Sequence, residues 1–211
     1  MTRERTLADG LRTLADQDSD IAAALAEAGA PEPRILDPGF AALIRIIVGQ
    51  QVSTASAAAI LSRLTDAGGL DPERFASFDD AALGAIGFSR AKMRYGRALA
   101  AQVLDGSLAL DRLASNDPQT AHQALVAVPG IGRWTAEIYR MFALGDPDVF
   151  PSGDVALREG IRMLRNLPVR PDLVESDAIS ASWGPHRSAA AHLLWRLYRV
   201  RHGVAVLGAD R

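Results

Sequence analysis

Residues Leu125–Asp154 read LVAVPGIGRWTAEIYRMFALGDPDVFPSGD, and the fold turns on how this stretch is interpreted. An apolar run stops at Val128-Pro129, because proline disfavours helical geometry in the residue before it. Gly130-Ile131-Gly132 follows as a tight turn, its two glycines available for positive φ. A second helix is predicted from Arg133, with Trp134, Ile138 and Met141 at helical spacing. The first N–H groups of a helix have no partner within it. With glycine leaving them open, the turn forms a seat for phosphate. Pro151-Ser152-Gly153 then leads to Asp154, at the mouth of a further helix.

Composition bounds the rest. At 211 residues the chain can bury a core as one domain or two small lobes, and 48% hydrophobic content is ordinary for a soluble globule. No apolar run reaches the length that spans a membrane, and the opening MTRERTLADG lacks the apolar core of a secretory signal, so a cytoplasmic location is expected. There are no cysteines, which excludes disulfides and any cysteine-ligated iron–sulfur cluster. Net charge is −2, so contact with nucleic acid would depend on a local patch. Lys92 is the only lysine; the remaining basic residues apart from histidine are arginines, which grip phosphate well and form Schiff bases poorly.

Helical periodicity dominates and strand alternation does not recur, so the fold class is all-α, with roughly ten helices. Two early helices are expected at about Arg5–Ala15 and Ser19–Ala28. Another begins near Pro38 and is almost continuously apolar from Phe40 to Val48, as suits a central buried helix. Gly49-Gln50-Gln51-Val52 interrupts it, and Ser53 can cap the next helix. Gly68-Gly69 and Pro72 read as a loop. Helices follow at about Asp79–Ile86, Ser89–Leu104 and from Asp117-Pro118 to the turn at Gly130. After Asp154 a helix runs to about Asn166, another leads to Trp183, and the last spans about His186–His202. Arg90, Lys92, Arg94 and Arg97 read as a solvated face, of which one or two could touch phosphate.

Leu125-x-x-Val128-Pro129-Gly130-Ile131-Gly132-x-x-Thr135-Ala136, followed by Pro151-Ser-Gly-Asp154, resembles the helix-hairpin-helix (HhH-GPD) DNA glycosylase superfamily. Pro129 through Ala136 and Asp148-Val149-Phe150 look most like the 3-methyladenine DNA glycosylase II type. The resemblance runs, less tightly, from about Phe40 to Trp195. It implies a two-lobed fold without an N-terminal β-domain. One lobe would span about 40–150 with the hairpin, the other about 1–39 and 151–211.

On this resemblance Asp154 is the catalytic residue. Breaking the bond between a base and deoxyribose builds positive charge at C1′, which a fixed carboxylate stabilises. Read alone, Asp154 is an ordinary N-cap, and both roles can coexist. Gly130, Ile131, Gly132, Arg133 and Thr135 would bind DNA through the hairpin, though such a turn also occurs between ordinary helices. Gln50-Gln51 matches the turn where the superfamily carries its wedge, with Gln51 at a position that is commonly apolar. A wedge fills the gap left by a flipped base. The bland alternative is a polar turn without a role.

Trp134 stands where the iron–sulfur branch has its lyase lysine, and it cannot form a Schiff base. It could instead wall a base pocket. Trp183-Gly-Pro-His186-Arg187-Ser188 resembles a Trp-x-Pro-Trp-Arg-Ser run, with His186 in place of the stacking tryptophan or as a plain surface N-cap. Ile138 and Val155 replace tyrosines of a well-known relative and complete the expected pocket. Trp195 reads as core, and Glu137 as a solvent-facing residue.

The resemblance implies a monofunctional glycosylase acting on alkylated purines in double-stranded DNA, as a monomer. No cofactor is required, although carbonyls at such a hairpin can hold a monovalent cation. Two rivals remain open on sequence. One is a bifunctional glycosylase/lyase acting on oxidised bases, which needs a lysine at the site. The other is a non-catalytic DNA-binding module, which the hairpin alone would permit.

Overall fold

The computed structural model describes residues 2–203. Among these the regular structure is entirely helical: α1 (Arg3–Gln17), α2 (Ser19–Ala28), α3 (Phe40–Gly49), α4 (Thr54–Asp66), α5 (Pro72–Ala76), α6 (Asp80–Ile86), α7 (Arg90–Leu104), a 3₁₀ turn (Leu113–Ser115), α8 (Pro118–Val126), α9 (Arg133–Tyr139), a π turn (Arg140–Leu144), α10 (Val155–Leu164), α11 (Leu173–Ala181) and α12 (Arg187–His202). The starts follow local chemistry. Ser53, Asp79, Ser89 and Asp117 accept N–H bonds from the first turns of α4, α6, α7 and α8, and Pro118 takes the first helical position of α8.

Some elements differ from the sequence reading. The helix expected from Pro38 begins at Phe40, after Gly39 at φ 135°. The expected loop at Pro72 contains α5, because Asp71 caps it and Pro72 is pre-set for a first turn. The helix after the hairpin, read through Met141, is α-helical to Tyr139 and widens into the π turn beyond it.

The described residues fall into two units, one drawn from Leu36–Leu144 and the other from residues 2–35 with 145–203. In the central unit α3 packs against α4, α7 and α9. Leu43, Ile44, Ile47 and Val48 of α3 are fully buried. Phe75 explains why so short a helix as α5 persists. It is fully buried, with edge-to-face contacts to Phe40 at 5.7 Å and Phe88 at 5.5 Å. Burial of such a ring contributes about 2–3 kcal/mol.

In the terminal unit α12 packs against α1, α2 and α10. Gly160 lets α10 approach α12 closely, since a Cβ there would lie 3.0 Å from Leu194 Cβ. Asp18 caps α2, pairs with Arg165 and accepts from Trp183 Nε1 at 3.2 Å. The fully buried Trp183 thereby satisfies its only polar atom.

Candidate nucleic-acid interface and carboxylate site

The hairpin lies in the central unit. Helix α8 stops at Val126, Ile131 N donates to Val128 O at 3.0 Å, and α9 starts after Gly132. Of the two glycines free to take positive φ, one does. Gly130 sits at φ 90°, whereas Gly132 is extended at φ −83°, ψ 177°. A Cβ on Gly130 would lie 2.1 Å from the ring of Tyr95, while one on Gly132 would meet nothing within 4 Å. Among the described residues, no carbonyl accepts the N–H of either glycine. Two donors are therefore open at the turn. Ile131 is buried beneath them and Arg133 is exposed at the start of α9.

The Gln50-Gln51 turn stands beside the hairpin. Gln50 Nε2 donates to Thr135 Oγ1 at 2.8 Å and, more weakly, to Gly130 O at 3.4 Å. Gln51 is exposed and holds φ 54°, a left-handed conformation uncommon for a side chain of its kind. Lys92 is not part of a solvated face. It is half-buried, and its Nζ donates to Val48 O at 2.7 Å, at the carbonyl end of α3. Burial lowers its pKa from the ordinary lysine value. Arg97 is likewise engaged, with Asp80 and the carbonyl of Phe78. Gln50, Gln51, Ser89, Lys92, Tyr95 and the hairpin together line a groove of about 570 Å³.

Asp154 lies in the terminal unit at the N-cap of α10. Its Oδ1 accepts from Ala156 N at 2.9 Å, Leu157 N at 3.0 Å and Trp195 Nε1 at 3.3 Å. Capping is therefore real, and three donors fix the carboxylate by one oxygen. Trp195 is core, as expected, but its indole N–H also reaches this carboxylate. The signal was available in principle: a buried indole requires an acceptor.

The start of α12 braces the loop leading to Asp154. Arg187 grips Asp148 with Nε at 2.7 Å and Nη2 at 2.8 Å. This bidentate contact holds the Asp148 carboxyl below the usual carboxylate range. Ser188 Oγ donates to Asp146 O and accepts from Val149 N, and Ser188 N donates to Pro147 O. Two motifs far apart in sequence, Asp148-Val149-Phe150 and Trp183–Ser188, thus form one assembly, with Phe150 and Trp183 rings 5.4 Å apart.

The expected pocket residues divide between the units. Trp134 is half-buried and Ile138 buried on α9; Val155 is exposed and His186 half-buried in the terminal unit. His186 makes no side-chain cap bond, and its ring packs beside Gly10 of α1. Glu137 is buried, not solvent-facing. Arg133 Nε reaches its Oε1 at 2.7 Å, since these residues share one face of α9.

No helix among the described residues is long and apolar enough to cross a membrane. Residues 44–185 match the model of the HhH-GPD superfamily base excision DNA repair proteins. The chain is 37% identical over 190 residues to a probable bifunctional transcriptional activator/DNA repair enzyme AlkA of Mycobacterium tuberculosis, covering 84% of this chain and 37% of that one. It therefore spans about a third of that relative's length. The fold is similar to that of Schizosaccharomyces pombe 3-methyladenine DNA glycosylase (Mag1), solved in complex with abasic DNA. The TM-score is 0.81 at 26% identity, over 90% of this chain and 95% of that one. It is also similar to a DNA-3-methyladenine glycosidase from Bacillus halodurans, with a TM-score of 0.78 at 31% identity over 90% and 88% of the two chains. The chain belongs to the HhH-GPD superfamily of base excision DNA repair proteins.

Proposed function

We propose that this protein is a monofunctional DNA glycosylase that hydrolyses the N-glycosidic bond of alkylated purines in duplex DNA and leaves an abasic site. The observation that carries this reading is the Asp154 carboxylate, fixed by three N–H donors converging on Oδ1. A preorganised negative charge stabilises the oxocarbenium character that develops at C1′ as the bond breaks. The base leaves with the bonding pair, water adds its oxygen to C1′, and the water's second proton is released. Purines methylated at N3 or N7 already carry positive charge, so the base departs neutral without a general acid, and one carboxylate suffices. Trp134 would offer such a cationic base an aromatic face. The names of the relatives support the same substrate class.

In the central unit the open N–H groups of Gly130 and Gly132 would take phosphate oxygens, and Gln51 would fill the gap left by a flipped base. No backbone N–H among the described residues donates to the carbonyls of Pro129 and Ile131. Oxygen donors for a monovalent cation are thus present at the turn, where a cation would offset phosphate charge. Lys92 argues against the lyase alternative, because its amine is tied to the end of α3. We expect a monomer acting on damaged duplex, with no iron–sulfur cluster.

The test is chromatography of bases released from methylated DNA. The wild type should release 3-methyladenine and 7-methylguanine, and strands should break only after hot alkali. Asp154→Asn keeps the cap and should lower release by about 10²–10³-fold. Near-wild-type turnover by a folded Asn variant would remove Asp154 from the mechanism. Release of an oxidised base alone would overturn the substrate class.

A further inference from the structure

Gln51 is exposed at φ 54°, and nothing in its own conformational preference holds it there. Neighbouring groups do. On one side Gln50 Nε2 bonds Thr135 Oγ1 at 2.8 Å and approaches Gly130 O at 3.4 Å, tying the turn to the hairpin. On the other, Lys92 Nζ bonds Val48 O at 2.7 Å, satisfying one of the carbonyls that α3 leaves open at its end. Thr135 is buried, so the bond from Gln50 is made away from water. Both contacts lie within three residues of Gln51 and border the same groove. Their side chains are turned toward protein groups, not outward.

We infer that Gln50 and Lys92 are positioning residues: two latches that bind the Gln51 turn rigidly to the phosphate-binding hairpin, so that seating the phosphate and inserting Gln51 occur as one movement. Without them the hairpin would still grip the backbone. Gln51 would relax from its left-handed conformation, and each insertion would first have to restore it. The inference rests on the wedge role of Gln51 and is independent of the chemistry at Asp154.

The test uses the full chain and a duplex with one alkylated purine beside 2-aminopurine, whose fluorescence rises when the stack opens. Gln50→Met keeps side-chain length and Lys92→Met falls one atom short; both remove the bonds, and thermal melting checks that each is folded. Because the latches lie on different elements, loss of folding in one variant leaves the other informative. Each should slow the fluorescence rise by about three- to tenfold, the size of one or two lost hydrogen bonds. Rates are read at saturating protein, so that any change in duplex affinity drops out, and Lys92→Arg should restore much of the rate. In a Gln51→Ala background the slowing should vanish, because the turn then presents nothing to insert. A general packing defect would persist there, and persistence would overturn the latch. So would wild-type unstacking by both Met variants. If Gln51→Ala alone leaves unstacking unchanged, the wedge and the latch fall together. If the wild type opens the stack but frees no base, the catalytic reading fails and the latch stands.

Discussion

Gly130 and Gly132 look equivalent in the sequence, yet a Cβ at the first would strike Tyr95 at 2.1 Å and one at the second would meet open space. Gly130→Ala should therefore destabilise the protein by about 1–3 kcal/mol, from left-handed strain and overpacking. Gly132→Ala should melt within about 0.5 kcal/mol of wild type. Any defect it shows in DNA affinity then reports the approach of phosphate to the backbone, and should be alike for damaged and undamaged duplex. Thermal unfolding with parallel binding titrations separates the two. Wild-type affinity in Gly132→Ala would mean that phosphate is seated elsewhere. The Gly-x-Gly pattern was legible as a turn. Which glycine was required for the fold was not, because the requirement comes from a ring on α7.

Single helices were largely legible, because caps are local. Ser53, Asp79, Asp117 and Asp154 each occupy the N-cap their position suggested, and Ser89, read as the first residue of its helix, caps it. What escaped was contact across long separations. Asp148 and Arg187 lie 39 residues apart, and only the fold brings them together. Lys92 sits in a run of basic residues that reads as solvated, and its Nζ reaches back 44 residues to Val48. Helix α5 escaped because five residues carry too little periodicity to register. The brace on the Asp154 loop has a pH consequence. Arg187 depresses the Asp148 pKa below its ordinary value of 3.8. Its contribution is fully present above that value and is lost as pH falls through the lower folded-state pKa. Asp148→Asn removes the pair and should cost about 1 kcal/mol at neutral pH, a modest figure because both partners are partly exposed. The variant should also lose less stability than wild type between neutrality and strong acid. Parallel unfolding curves for the two proteins down that range would remove Asp148 as the linked group.

At the scale of the molecule, charge is the unusual feature for the DNA binding proposed above. The chain carries a net −2, and residues 36–144, which hold the hairpin, contain ten Lys/Arg and ten Asp/Glu. No broad field draws DNA to this unit, and several of its cations are already committed: Arg97 to Asp80, Arg133 to Glu137 and Lys92 to a carbonyl. Backbone N–H groups and a helix start can hold phosphate, but they bring no mobile counter-charge of their own. Few phosphates would then be neutralised by side chains. Affinity should fall by about 10–10²-fold between 50 and 200 mM salt, against about 10³–10⁵-fold for a protein that neutralises six to ten phosphates. Arg90 and Arg94 are exposed on α7, on the element whose Ser89, Lys92 and Tyr95 border the groove. Replacing either with alanine should lower the slope of log affinity against log salt by about one, without changing which lesion is preferred. A steep slope that both substitutions leave intact would place the main DNA contact on a surface away from the groove.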